Sequence, residues 1–103
     1  MAHALEVAEG TQYQSSDERL PYQITTTNRV SDPTSPTLVA YDEKTGADVT
    51  STVFPTNSPS VNGDVITLSL LRDLTAGHTY RIEVKFTVGS SFYECFFRVK
   101  CER

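Results

Sequence analysis

The chain has no tryptophan, one methionine, two cysteines and five glycines in 103 residues, and each shortage removes a class of function. The glycines form no cluster, so neither a phosphate-cradling loop nor a nucleophile elbow is present. No HExxH or CxxC spacing occurs. The two histidines, His3 and His78, fall in an N-terminal arm and a corner loop, apart from both cysteines, so neither a zinc site nor a Cys–His pair is expected. Loop carboxylates Asp32, Asp42, Glu43, Asp48, Asp64 and Asp73 lack EF-hand spacing and read as solvated turn residues rather than calcium ligands. No catalytic residue, metal or cofactor is expected. Nine basic against thirteen acidic residues give a net charge of −4 with no basic stripe, which argues against a nucleic-acid groove. No apolar run is long enough to span a bilayer, so no membrane partner is expected. Met1 to Glu9 lacks a basic leader followed by an apolar stretch, which implies cytoplasmic synthesis.

The cysteines fit that compartment. Cys95 and Cys101 share parity on one strand pattern, and six residues at strand rise separate them by roughly 20 Å. A disulfide needs Cα atoms within about 7 Å. Buried thiols are expected, with an intermolecular bridge through Cys101 as the alternative.

What is present is β patterning. Tyr80, Ile82, Val84, Phe86 and Val88 alternate with polar residues, and Ser91 to Cys101 forms a second run of similar length. Gly89-Ser90 between them suits a type II′ turn. With that loop, Val88 faces Ser91, Phe86 faces Tyr93, Val84 faces Cys95, Ile82 faces Phe97 and Tyr80 faces Val99. All these pairs share one face. The other face pairs Thr87 with Phe92, Lys85 with Glu94, Glu83 with Phe96 and Arg81 with Arg98. Lys85 and Glu94 should attract, and the opposed arginines repel. A one-residue slip would invert every side chain, so the pattern pins the register.

Leu74, Gly77 and Tyr80 precede this hairpin in a spacing that resembles the tyrosine corner of immunoglobulin-like and fibronectin type III sandwiches, where the hydroxyl bonds to backbone a few residues upstream. Ala76 stands where fibronectin domains often carry proline. The other reading of Tyr80 is an ordinary core aromatic.

In chain order, residues 1–18 are polar and without period, and read as a flexible arm in which Leu5 and Val7 are candidates for a short added strand. Arg19 to Thr27 reads as a strand with Leu20, Tyr22 and Ile24 on one face, and Pro21 marks its start or an edge. Asn28 to Pro36 is a loop, Thr37 to Asp42 a strand, Glu43 to Asp48 a turn. Val49 to Phe54 is a β-branched strand stopped by Pro55. Asn62-Gly63 is a hairpin signal joining Ser60-Val61 to a strand from Asp64 to Leu70. About seven short antiparallel strands, with turns about every 8 to 12 residues and no helix-period segment, predict an all-β sandwich over residues 19–103. No repeat or low-complexity block occurs. A chain of this length buries roughly two thirds of its unfolded surface without staples.

Candidate contact residues lie on the outer face of the last two strands. Phe92 and Phe96 there read either as scattered exposed aromatics or as a protein contact. Arg81 and Arg98 would receive a partner's carboxylate, or splay toward Glu83 and solvent.

Thr45 to Val53, Ser60 to Thr67, Leu71 to Gly77 and Tyr80 to Val84 together resemble the small immunoglobulin-like structural proteins of tailed bacteriophages and prophages, of the fibre-tail adaptor or neck-region type. The resemblance spans about Leu20 to Glu102 and carries no active-site motif. It implies an immunoglobulin-like fold and a non-catalytic virion or assembly protein made in a bacterial host. Its partners would be other virion proteins or further copies of itself, met through sheet edges, the arm or the Phe92/Phe96 face. A carbohydrate-binding or adhesion module on the same sandwich is the alternative, disfavoured by the lack of tryptophan.

Overall fold

The computed structural model describes residues 4–6, 11–25 and 33–102. In chain order these form β1 (Ala4–Glu6), β2 (Gln12–Gln14), β3 (Gln23–Thr25), β4 (Thr34–Asp42), β5 (Ala47–Asp48), one helical turn α1 (Thr50–Val53), β6 (Ser60–Asn62), β7 (Val65–Thr67), β8 (Thr79–Val88) and β9 (Ser91–Cys101). The large sheet runs β9-β8-β4-β5, with β1 and β2 one after the other along the outer edge of β9. The small sheet runs β3-β7-β6. β1 and β2 lie parallel to β9, and every other pairing is antiparallel. The architecture is an all-β sandwich, and both sheets contribute to one core.

The β8–β9 hairpin supplies the floor of that core. Its register is the one the alternation dictates, from Tyr80 opposite Val99 to Val88 opposite Ser91. Gly89 has φ +59° while Ser90 is not in the left-handed region, which is the type II′ arrangement. Tyr80, Ile82, Val84, Phe86, Cys95, Phe97 and Val99 are buried, with Leu38 and Ala40 of β4 beside them. Ile24 and Ile66 close the core from the small sheet. Cys95 and Cys101 point inward, and Cys101 is 0% exposed, so it offers no sulfur for a bridge between molecules.

At the corner, Thr75 N–H donates to Tyr80 Oη at 2.7 Å, and Leu74 is buried beside it. Gly77, at φ +86°, donates its N–H to Cys101 C=O at 2.7 Å, tying the corner to the end of β9. Tyr80→Phe removes the acceptor of a part-buried N–H with no change in packing. The expected cost is about 1 kcal/mol, a fall in Tm of about 4–8 °C by thermal unfolding. An unchanged Tm would show that the bond contributes nothing.

Several segments differ from the sequence expectation. Val49 to Phe54 is not a strand. Thr50 N–H and hydroxyl both donate to Asp48 Oδ1, at 3.0 and 2.6 Å, and start a helical turn. The turn sends the adjacent Val53 and Phe54 both into the core, each 1% exposed, which the period-2 strand cannot do. In the β6–β7 hairpin Asn62 pairs with Val65, so the two-residue loop is Gly63-Asp64, one position later than the Asn-Gly signal suggests. Thr34 to Pro36 belong to β4 rather than to a loop. Of the expected Arg19 to Thr27 strand, the described residues form Gln23–Thr25, preceded by an isolated bridge between Leu20 and Leu71. Within residues 1–18, Ala4–Glu6 and Gln12–Gln14 are strands of the large sheet, and Gln14 is only 2% exposed. His3, Val7 and the segment 26–32, including Thr26, Thr27 and Asp32, lie outside the described residues.

Candidate functional site

The outward face of the large sheet carries every contact residue singled out above. The alternation that buries Ile82 and Phe97 necessarily turns Arg81, Glu83 and Lys85 of β8 and Phe92, Glu94, Phe96 and Arg98 of β9 outward. β4 adds Val39 and Tyr41 in register with Glu83 and Arg81. Phe92 stands 60% exposed. Phe96 is half-buried because both guanidinium groups lie over its ring, Arg81 Cζ at 3.9 Å and Arg98 Cζ at 5.3 Å from the centroid. The opposed arginines therefore do not simply repel. Arg81 Nε donates to Glu83 Oε2 at 3.0 Å, and Arg98 Nε reaches across to Glu43 Oε1 in the β4–β5 turn, also at 3.0 Å. Cation–π contact and ion pairing hold one flat, partly apolar platform.

The edges of this sheet are less open than its face. Beyond β5, the unpaired side of β4 is closed by local groups. Ala40 N–H donates to Thr50 Oγ1 at 2.9 Å, Ala40 C=O accepts Val49 N–H at 2.9 Å, and Leu38 C=O accepts Asn57 Nδ2 at 3.0 Å. Pro36 has no N–H to offer. The opposite edge, along β9, carries β1 and β2. Direct strand addition to β4 or β9 is thereby blocked where these groups and strands lie.

Two polar constellations escaped sequence reasoning. The first is a clasp centred on Gln14. Its Nε2 donates to Leu71 C=O at 2.7 Å and to Glu18 C=O at 2.9 Å, while its Oε1 accepts from Tyr22 Oη at 2.9 Å. It fastens β2, a strand of the large sheet, to the chain leading into the small one. Burial, aided by the charge of Glu18, pushes the Tyr22 hydroxyl up to about 12, so it stays a donor. The second is Asp42 with His78, joined Oδ2 to Nδ1 at 2.6 Å across 36 residues of chain. Burial by itself would raise the Asp42 carboxyl. The bonds from His78 and from the backbone of Lys44 and Thr45 outweigh it and hold the group below its usual value. The imidazole also stacks on Tyr80 at 6.4 Å. Among the described residues no hydroxyl or thiol side chain bonds to His78, so the pair fastens the β4–β5 turn to the start of β8.

The exposed aromatics are poorly placed for a sugar. Tyr13 is 60% exposed and pairs with Lys100, eight residues along β9 from Phe92, a separation of roughly 26 Å. One pyranose cannot stack on both. No protein-family model, no curated protein and no solved structure matches this chain.

Proposed function

We propose that the chain is a non-catalytic structural or assembly protein of a tailed-phage or prophage virion, acting through protein–protein contacts at a tail, neck or fibre attachment point. The virion assignment rests on the resemblance carried by Thr45 to Val53, Ser60 to Thr67, Leu71 to Gly77 and Tyr80 to Val84. The immunoglobulin-like reading is supported by a β3-β7-β6 sheet facing a β9-β8-β4-β5 sheet, and by the tyrosine-corner bond at the start of β8. The observation that carries the functional reading is the outer platform. There an exposed Phe92 shares the face of β9 with Phe96, Glu94 lying between them, and two arginines are already oriented on the Phe96 ring. Aromatic and arginine side chains held rigid before association lose little entropy on binding and are the types that dominate interface energetics.

Particles released from a host carrying the gene are expected to contain this chain, as measured by mass spectrometry of purified virions. Phe92→Glu should fold normally and be depleted from particles about tenfold or more. Wild-type chain absent from particles would overturn the virion assignment. Phe92→Glu incorporated at the wild-type level would instead remove the outer platform from the contact.

A further inference from the structure

We infer that the partner of this platform includes a second copy of the chain, packed face to face on a two-fold axis that runs along the strands between β8 and β9 at the level of Lys85 and Glu94. The inference rests on the platform being a contact surface. It starts from a disagreement between register and contact. Lys85 and Glu94 are direct cross-strand partners, and the sequence leads one to expect an ion pair. Both are half-buried, yet among the described residues neither forms an ion pair, with the other or with any neighbour. Adjacent arginines on the same face do find carboxylates, Glu83 and Glu43. A cation and an anion side by side but not paired with each other are self-complementary under a two-fold axis. Rotation about an axis parallel to the strands and midway between them sets Lys85 of one copy over Glu94 of the other, and the reverse.

The same operation gives the exposed apolar group a partner. Phe92 lies one step along this face from Glu94, opposite Thr87. The axis brings the Phe92 rings of the two copies side by side over the two Thr87 side chains. Two aromatic rings and two ion pairs then form one desolvated patch. Arg81 and Arg98 enter it already paired with carboxylates, so their approach to the second copy's arginines carries little repulsion. The available area is sufficient but modest. The strands of this sheet, from two residues in β5 to eleven in β9, at about 4.8 Å spacing and about 3.3 Å rise give a face of roughly 600 Å² in projection. That is at the lower end for specific interfaces and points to micromolar association rather than an obligate dimer. With local groups on the β4 edge and β1 and β2 on the β9 edge, face-to-face contact also leaves all of these pairings in place.

The test is sedimentation equilibrium of the full chain in reductant over a wide concentration range. The wild type is expected to move from 11.4 kDa to twice that mass with a midpoint in the micromolar range. Lys85→Glu and Glu94→Lys should each weaken the dimer about tenfold or more, because symmetry counts every substitution twice. The double reversal, Lys85→Glu with Glu94→Lys, should restore the midpoint to within about threefold of wild type. Circular dichroism and Tm, expected to be unchanged for all three, separate loss of contact from loss of fold. A wild type that stays at monomer mass at millimolar concentration overturns the inference. So does a dimer indifferent to the single reversals, or a double reversal that fails to restore it. In these cases the platform remains available to other virion proteins. Only a Phe92→Glu chain that enters particles normally would remove the platform as a contact surface as well.

Discussion

Gln14→Leu is expected to destabilise the protein by about 2–4 kcal/mol, a large fraction of the total stability of a domain this size. Leucine fills much the same space, so packing is little changed. The loss is polar. Tyr22 Oη loses its acceptor, and the carbonyls of Leu71 and Glu18 lose a donor, in a site where Gln14 is 2% exposed. Leu71 C=O keeps Leu20 N–H at 3.2 Å, so the greater share of the cost falls on the Tyr22 hydroxyl. Removing that hydroxyl as well, in Gln14→Leu with Tyr22→Phe, should recover about 1 kcal/mol, since deleting both partners of a buried bond costs less than orphaning one. Urea unfolding of the four proteins in the cycle measures this. A Gln14→Leu protein within about 0.5 kcal/mol of wild type would show that β2 is held by its ladder with β9 alone. Amide exchange should also quicken at Glu102, whose N–H donates to Gln14 C=O at 3.3 Å. The clasp adds a pH signature. Tyr22 is raised from 10.0 to about 12 in the folded chain, so its contribution is complete below the lower value and is lost as pH rises through the upper one. Tyr22→Phe should flatten that alkaline slope.

Asp42→Ala should cost a further amount in the same range, about 2–4 kcal/mol at neutral pH, and with the opposite pH dependence. The carboxylate is 6% exposed and accepts from the ring of His78 at 2.6 Å and from Lys44 N–H at 3.0 Å. Its removal orphans both donors and unties the β4–β5 turn from β8. The folded-state pKa of Asp42 is lowered, so the stabilisation is fully present above the ordinary carboxylate value of 3.8 and is lost as pH falls through the depressed folded value. The stability gap between wild type and Asp42→Ala should therefore be constant at neutral and mildly acid pH and close below that range. Urea midpoints at a series of pH values report it. A gap that persists unchanged in strong acid would mean that the side chain acts through packing and not through its charge.

The turn and the clasp bear on the platform. Glu43, which receives Arg98, sits one residue from Asp42. Loosening that turn is the route by which a buried change would disturb the stacking of Arg98 on Phe96. Asp42→Ala should thus weaken surface contacts that it does not touch.

What could be read from the amino-acid order was local and periodic. The β8–β9 hairpin, its loop and the inward and outward sets of side chains follow from alternation around Gly89-Ser90, because a two-residue turn leaves no freedom of register. The outward placement of Phe92, Phe96, Arg81 and Arg98 follows from the same parity, and the corner at Tyr80 from the spacing of Leu74, Gly77 and Tyr80. The tertiary structure decided whatever depended on groups far apart in the chain. Gln14 meets Leu71 across 57 residues and Asp42 meets His78 across 36, and neither pairing leaves a spacing motif. Val49 to Phe54 has strand composition, yet two consecutive core positions and the Asp48 carboxylate make it a helical turn. Lys85 and Glu94 were placed opposite each other by register, but whether they bond was a matter of side-chain conformation on a crowded face. Period-2 patterning determines which way a side chain points; only the assembled sheets determine what it meets there.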